Sequence, residues 1–256
     1  MRRRTSSVPD PSPVLAGVVV LLQVAYPLVT AAQARNTLTV VTVVVFFLAS
    51  ASHALVHRGP RWTGAYLVIT LGVGLVAEAI GTATGVPFGD YDYAGTLGAK
   101  LLGVPVVIPL AWAMFAYPCL LVGQALARTA PGTIGVAAVA MASWDLFLDP
   151  QMTEAGHWTF TDVQVALPGA PDVPVSNYLG WLAVALMMMT LLHFLGRRPG
   201  LDDRVPSALF LWTYVSSVLA NAVFFARPTT ALVGGIGMGL VAVPYALSLR
   251  RARVSA

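Results

Sequence analysis

The sequence predicts an all-α integral membrane protein of about eight transmembrane helices with two long outer loops, and three observations carry that prediction. Of 256 residues, 57% are hydrophobic and only 10% are charged, where an average soluble domain has roughly 25% charged. The charges divide the chain into uncharged runs at 11–34, 36–57, 62–77, 101–127, 129–144, 173–196, 205–226 and 228–249. Six of these reach the length of about 20 residues that a membrane helix needs. The other two, 62–77 and 129–144, stop at Glu78 and Asp145; extended through the acid they become 62–82 and 132–149. Finally, a bilayer core has no water to satisfy exposed backbone groups, which forces the helical choice for such runs.

Read in order, the chain opens with a Pro/Ser-rich stretch expected to be a disordered cytoplasmic tail over 1–13. A single polytopic domain follows over 14–250, and a short tail closes the chain over 251–256. Arg2, Arg3 and Arg4, the apolar run and Ala32-Gln33-Ala34 have the outline of a cleaved secretory signal. The apolar run is too long for that, and a retained first helix is expected. Eight spans put both termini on one side. That side collects Arg2, Arg3, Arg4, Arg58, Arg61, Arg128, Arg197, Arg198, Arg204, Arg250, Arg251 and Arg253, against Arg35, Lys100 and Arg227 on the other. The bias predicts cytoplasmic termini and a plasma-membrane protein. This composition excludes a cytosolic enzyme and a nucleic-acid partner. One cysteine, Cys119, excludes a disulfide framework or a cysteine-based metal cluster.

Both long outer loops, about 83–104 and 150–176, end in one pattern. Residues 104–112, VPVVIPLAW, align with 173–181, VPVSNYLGW, as V-P-V-x-x-x-L-x-W. Each copy follows a helix bearing an acid, so units of about 62–112 and 132–181 read as a parallel repeat, an arrangement that often encloses a site. The loops alternate aromatic and polar residues, Phe88-Gly89-Asp90-Tyr91-Asp92-Tyr93 and His157-Trp158-Thr159-Phe160. That alternation suits short hairpins.

An ionisable residue inside a span is a functional candidate because its burial is costly. Asp145 and Asp149 are spaced i,i+4 and share a helix face. Both lie near that helix's C-terminus, where the macrodipole disfavours negative charge. Glu78 is placed alike. Three carboxyls at one depth with few nearby cations suit the holding of a proton, which a general acid requires. The bland alternative is that they cap polar loops. Trp112, Trp144, Phe147, Trp158 and Trp181 fall at similar depth and could line an apolar slot whose ring faces stabilise a cation; packing and interfacial anchoring would also account for them. Asn177 reads as the N-cap of the sixth helix. Asn221 is an amide in the outer half of the seventh, needing a partner; either amide could position a water. His53 and His57 have metal-ligand spacing, but four histidines in all are too few for a membrane di-iron enzyme, and no metal is expected.

The strings at 78–91 (EAIGTATGVPFGDY), 102–105 (LGVP), 109–112 (PLAW), 144–150 (WDLFLDP) and 177–181 (NYLGW) resemble the CruF-type carotenoid hydratases, which include the bisanhydrobacterioruberin hydratases. The resemblance covers about 62–182. It implies addition of water across the terminal 1,2 double bond of a linear carotenoid ψ-end, giving a tertiary alcohol without metal, flavin or nicotinamide cofactor. The substrate would be a hydrophobic carotenoid together with water, and other carotenoid biosynthesis enzymes are possible partners. On that reading Asp145, Asp149 or Glu78 donates the proton and another activates water, with Asp90 second in rank. Tyr91, Trp112, Trp144, Trp158, Asn177, Trp181 and Asn221 would bind substrate. Two rival readings are a membrane prenyltransferase using Asp145-x-x-x-Asp149, and a non-enzymatic carotenoid-binding or transport protein.

Overall fold

The computed structural model describes residues 9–197 and 202–254. Among them are eight α-helices: α1 (Ser12–Ala25), α2 (Ala32–Arg58), α3 (Pro60–Thr84), α4 (Val107–Leu126), α5 (Ala130–Glu154), α6 (Val175–His193), α7 (Arg204–Leu219) and α8 (Pro228–Val254). A π-helical turn, Ala220–Phe224, extends α7. Seven helices, α2 to α8, are long and apolar enough to cross a membrane, whereas α1 has only 14 residues before a short 3-10 turn at Tyr26–Leu28. The all-α membrane architecture therefore stands, with one of the eight helices short.

Helix boundaries follow local chemistry. Gly59, at φ 86°, separates α2 from α3, and Pro60 opens α3 where its missing N–H costs nothing. Gly85 closes α3 in the left-handed conformation at φ 73°, donating its N–H to Gly81 O. Arg35, read from the sequence as a break between spans, lies inside α2. Its guanidinium donates to Val29 O at 3.1 and 3.2 Å, so the charge stays at the helix end. In α4, 83% of the most apolar window is buried, against 28% in α2, α3, α7 and α8; α4 is thus the central post of the bundle. It packs against α2, α3, α5 and α7.

At both ends helix runs somewhat past the bounds expected from the sequence. The tail expected over 1–13 already contains the start of α1, and Asp10 binds His57 at 3.0 Å and accepts the Ser12 N–H. Helix α8 continues through the tail expected at 251–256 as far as Val254. Residues 1–8, 198–201 and 255–256, which include Arg2, Arg3, Arg4 and Arg198, lie outside the described residues. At the same end, the His53 and His57 rings stack at 4.2 Å rather than converging on one point. His53 hydrogen-bonds the Tyr117 hydroxyl, and Arg58 donates to that hydroxyl and pairs with Asp203.

The two long loops, after α3 and after α5, form strands β1 (Tyr91–Tyr93), β2 (Lys100–Leu101), β3 (Val104–Pro105), β4 (Trp158–Phe160), β5 (Ala166–Leu167) and β6 (Ala170–Pro174). Strands β2–β3 and β5–β6 are local hairpins. The span expected to start at 101 therefore begins at Val107 instead, because Gly103 and the left-handed Leu102 turn the chain there. The aromatic stretches do not form hairpins of their own. Strands β1 and β4 pair with each other, antiparallel, with Tyr91 opposite Phe160 and Tyr93 opposite Trp158.

Candidate active site

The β1–β4 ribbon covers a pocket between α3, α4, α5 and α6. Successive strand side chains point to opposite faces. Accordingly Tyr91, Tyr93, Trp158 and Phe160 face inward, while Asp92 and Thr159 are exposed. The inward residues form cross-strand aromatic pairs, Tyr91–Phe160 at 5.5 Å and Tyr93–Trp158 at 5.6 Å. Beneath them lie Glu78 from α3, Trp112 from α4, Asp149 from α5, and Asn177 and Trp181 from α6. The enclosed space is about 30 Å³.

Glu78 is buried and accepts three hydrogen bonds. Tyr91 and Tyr93 hydroxyls donate to Oε2 at 2.5 and 2.8 Å, and the Trp112 indole donates to Oε1 at 2.9 Å. Residues i and i+2 of one strand supply the two phenols. The indole lies against α3 because position 74 is glycine; a Cβ there would sit 3.0 Å from Trp112 Cγ. Three donors and no acceptor suit an ionised carboxylate, which can only accept. Burial, and after it the charge of Glu78, holds both phenols well above their ordinary pKa, so they remain donors.

Asp145 and Asp149 form the second cluster. Their i,i+4 spacing aims both at Asn177, whose Nδ2 donates to Asp145 Oδ2 at 2.8 Å and to Asp149 Oδ2. Asn177 was expected to be the N-cap of α6. That position belongs to Pro174, and Asn177 lies within the first turn, where its side chain turns to the aspartates. The positive end of the α6 macrodipole thus faces the pair. Asp149 lines the pocket; Asp145 stands behind it, fully buried, and its Oδ1 has no hydrogen-bond partner among the described residues. Between the clusters, Trp112 and Trp181 stack at 4.0 Å with an 18° interplanar angle.

The structure thus brings together Glu78, Asp145, Asp149, Tyr91, Trp112, Trp158, Asn177 and Trp181. It separates four other candidates. Asp90 is exposed beside the Gly85 turn and meets Thr161 through its backbone carbonyl, which accepts at 2.9 Å. Trp144 touches Trp181 edge-on at 6.2 Å but lines a different cavity, as does Phe147. Asn221 is buried in the π-turn of α7, where its Nδ2 donates to Ser217 O at 2.9 Å. Sequence reasoning passed over Tyr93, Phe160 and Leu148 as site residues. The first two were legible in the aromatic/polar alternation; nothing marked Leu148 among so many leucines.

The fold and site define a polytopic membrane protein with three buried carboxyls, Glu78, Asp145 and Asp149, gathered at an aromatic pocket. The chain belongs to the carotenoid biosynthesis protein family, whose model matches residues 36–245. It is 32% identical over 140 residues to the bisanhydrobacterioruberin hydratase of Haloarcula japonica, a match covering 52% of this chain and 46% of that protein. The chain therefore aligns with about half the length of this curated relative. No solved structure matches.

Proposed function

We propose that this protein hydrates the terminal 1,2 double bond of a ψ-end carotenoid, acting as a hydro-lyase in the direction of water addition. The observation that carries the reading is the pairing of two unlike carboxyl environments across a few side chains. One carboxylate is held by three donors, and one aspartate pair shares a single amide. No cationic side chain lines the pocket among the described residues. A proton is therefore the counter-charge that fits between the two aspartates, since an unpaired buried charge is costly.

In this mechanism Asp149, the member that lines the pocket, gives the proton to C2 of the alkene, and Asp145 behind it shares the remaining charge. The π electrons form the new C–H bond, leaving a tertiary cation at C1. Glu78 and the faces of Trp112 and Trp181 stabilise that cation. Water adds to C1, and its surplus proton returns to an aspartate, restoring the catalyst. A cavity of about 30 Å³ suits one or two waters. The hydrocarbon end is larger, so the indoles or the β1–β4 ribbon must shift to admit it. The same proposal sets both termini in the cytoplasm of a plasma-membrane protein, with the site opening outward.

The test is expression in cells that accumulate lycopene or elongated relatives, with pigments resolved by chromatography and mass spectrometry. A more polar pigment heavier by one water is expected. Asp149→Asn should abolish it, while Asp145→Asn lowers its yield. Unchanged pigments on every ψ-ended substrate, with protein present in the membrane, would overturn the proposal. A product heavier by an isoprene unit would replace it with prenyl transfer.

A further inference from the structure

A second cavity, of about 140 Å³, lies on the other side of Leu148 from the carboxyl pocket. Leu148 lines both spaces, and Trp144, in the wall of the second, touches Trp181 in the wall of the first. Helices α1, α2, α4, α5 and α7 surround it. Its rim includes Tyr26 and Phe225, edge-to-face at 6.1 Å. The Arg35 guanidinium sits 5.7 Å over the Tyr26 ring and that of Arg227 5.8 Å over the Phe225 ring. Two arginines at the rim mark it as the end nearest the aqueous phase.

The polarity of its walls is unexpected in a membrane bundle. Gln23, Thr39, Thr42, Gln151, Ser216 and Ser217 all line it. Some of these hydroxyls satisfy themselves on their own helix, as Thr39 does on Arg35 O and Ser216 on Thr213 O. Others do not. Thr42 Oγ1 is buried without a partner among the described residues. The Trp212 indole donates to Gln23 Oε1 at 2.6 Å, which turns the amide NH2 group away from that bond. Beside the cavity, Asn221 Oδ1 also lacks a partner among the described residues, in a π-turn flanked by the wall residues Ser217 and Ala220. Turns of this kind recur at functional sites.

A polyene would need none of these groups, whereas a buried water needs two to four polar partners. We infer that this cavity is a water vestibule, holding several molecules and feeding the carboxyl pocket past Leu148. Its role as a supply rests on the hydratase reading, because hydration consumes one water per turnover inside a membrane; its wetness does not. Water moves from the vestibule to the cation formed at C1, and its oxygen becomes the product hydroxyl.

The experiment is X-ray hydroxyl-radical footprinting of the full-length protein in lipid nanodiscs, read by mass spectrometry. Met114 and Met152 line the vestibule at 4% and 6% exposure, whereas Met141 and Met188, at 0%, line neither this cavity nor the carboxyl pocket. Radicals born in confined water should oxidise the first pair several-fold faster than the second. Thr42→Val and Ser217→Ala, which keep shape while removing hydroxyls, should shrink that difference and slow hydrated-pigment formation several-fold at unchanged substrate affinity. Equally slow oxidation of all four methionines would overturn the vestibule whatever the activity. Fast oxidation of Met114 and Met152 that added lycopene suppresses would also overturn it, in favour of a polyene channel. Fast oxidation in a protein that hydrates no ψ-end would leave the cavity wet but end its role as a supply, separating this failure from that of the hydratase reading.

Discussion

Glu78 shows how a single residue type in a helix acquires a role from its partners. Its three donors come from two segments remote in sequence, so Glu78→Gln would replace an acceptor oxygen with an NH2 group facing a donor. Loss of about 1–3 kcal/mol of stability is expected, measured by thermal unfolding in detergent, with a marked fall in turnover. Tyr93→Phe removes one donor only and should cost less on both counts. The phenols also set a pH dependence. Burial and the Glu78 charge raise their folded pKa values above the unfolded value of about 10. Their contribution is therefore fully present below about pH 10 and is lost as pH climbs above it. Spectroscopic titration of the folded protein should show Tyr91 and Tyr93 failing to ionise until it unfolds. The carboxyls themselves were legible in the sequence, because an acid inside an apolar run stands out. Asp90 shows the limit of that signal: its neighbours Phe88 and Tyr91 line the pocket, while its own exposed side chain lies beside the Gly85 turn.

The β1–β4 ribbon is the element that turns a bundle of helices into an enclosed pocket. Its alternating pattern was visible, yet its partner was not. A two-period pattern says which face is buried, and says nothing about which strand lies alongside when both loops carry the same pattern. His157 anchors the ribbon: its Nδ1 hydrogen-bonds Thr96 Oγ1 at 2.8 Å and its carbonyl accepts from Ala94 N at 2.9 Å. Burial lowers the His157 pKa below the usual 6.5. The unfolded chain then binds the extra proton, so this contribution is present above about pH 6.5 and is lost as pH falls. Unfolding temperature should drop between neutral and mildly acidic pH, and His157→Gln should flatten that drop. The loop before β1 is clamped on α6 at Gly180, where a Cβ would lie 2.7 Å from Pro87 O. Gly180→Val should cost about 1–3 kcal/mol by overpacking, measured as a fall in unfolding temperature, with hydrated pigment reduced.

At the scale of the whole molecule, hydropathy located every helix and most of its ends closely, because each bilayer crossing carries its own signal; the end of α1 and the start of α4, set by turns inside apolar runs, were the large misses. Which helices touch is written in no single segment. The central position of α4 and the second cavity both depend on packing between helices far apart in the chain. Trp112 and Trp181, the matching positions of the two strings at 104–112 and 173–181, stack on each other across the bundle, a contact that neither string announces. Orientation is directly testable because the native Cys119 is fully buried. In intact cells an impermeant maleimide should label Thr161→Cys in the exposed outer loop. Ala130→Cys, at the exposed start of α5, should react only after permeabilisation. The reverse pattern would invert the topology and put the pocket on the cytoplasmic side.

The stacked indoles give the protein an optical handle. Two nearly parallel chromophores at 4.0 Å couple their excited states. The pair should therefore contribute a split signal to the near-ultraviolet circular dichroism, one that separate tryptophans would not produce. Any hydrocarbon that wedges toward the carboxyls must press on that pair. Substrate entry would then register as a change in exciton coupling, readable before a single bond is made.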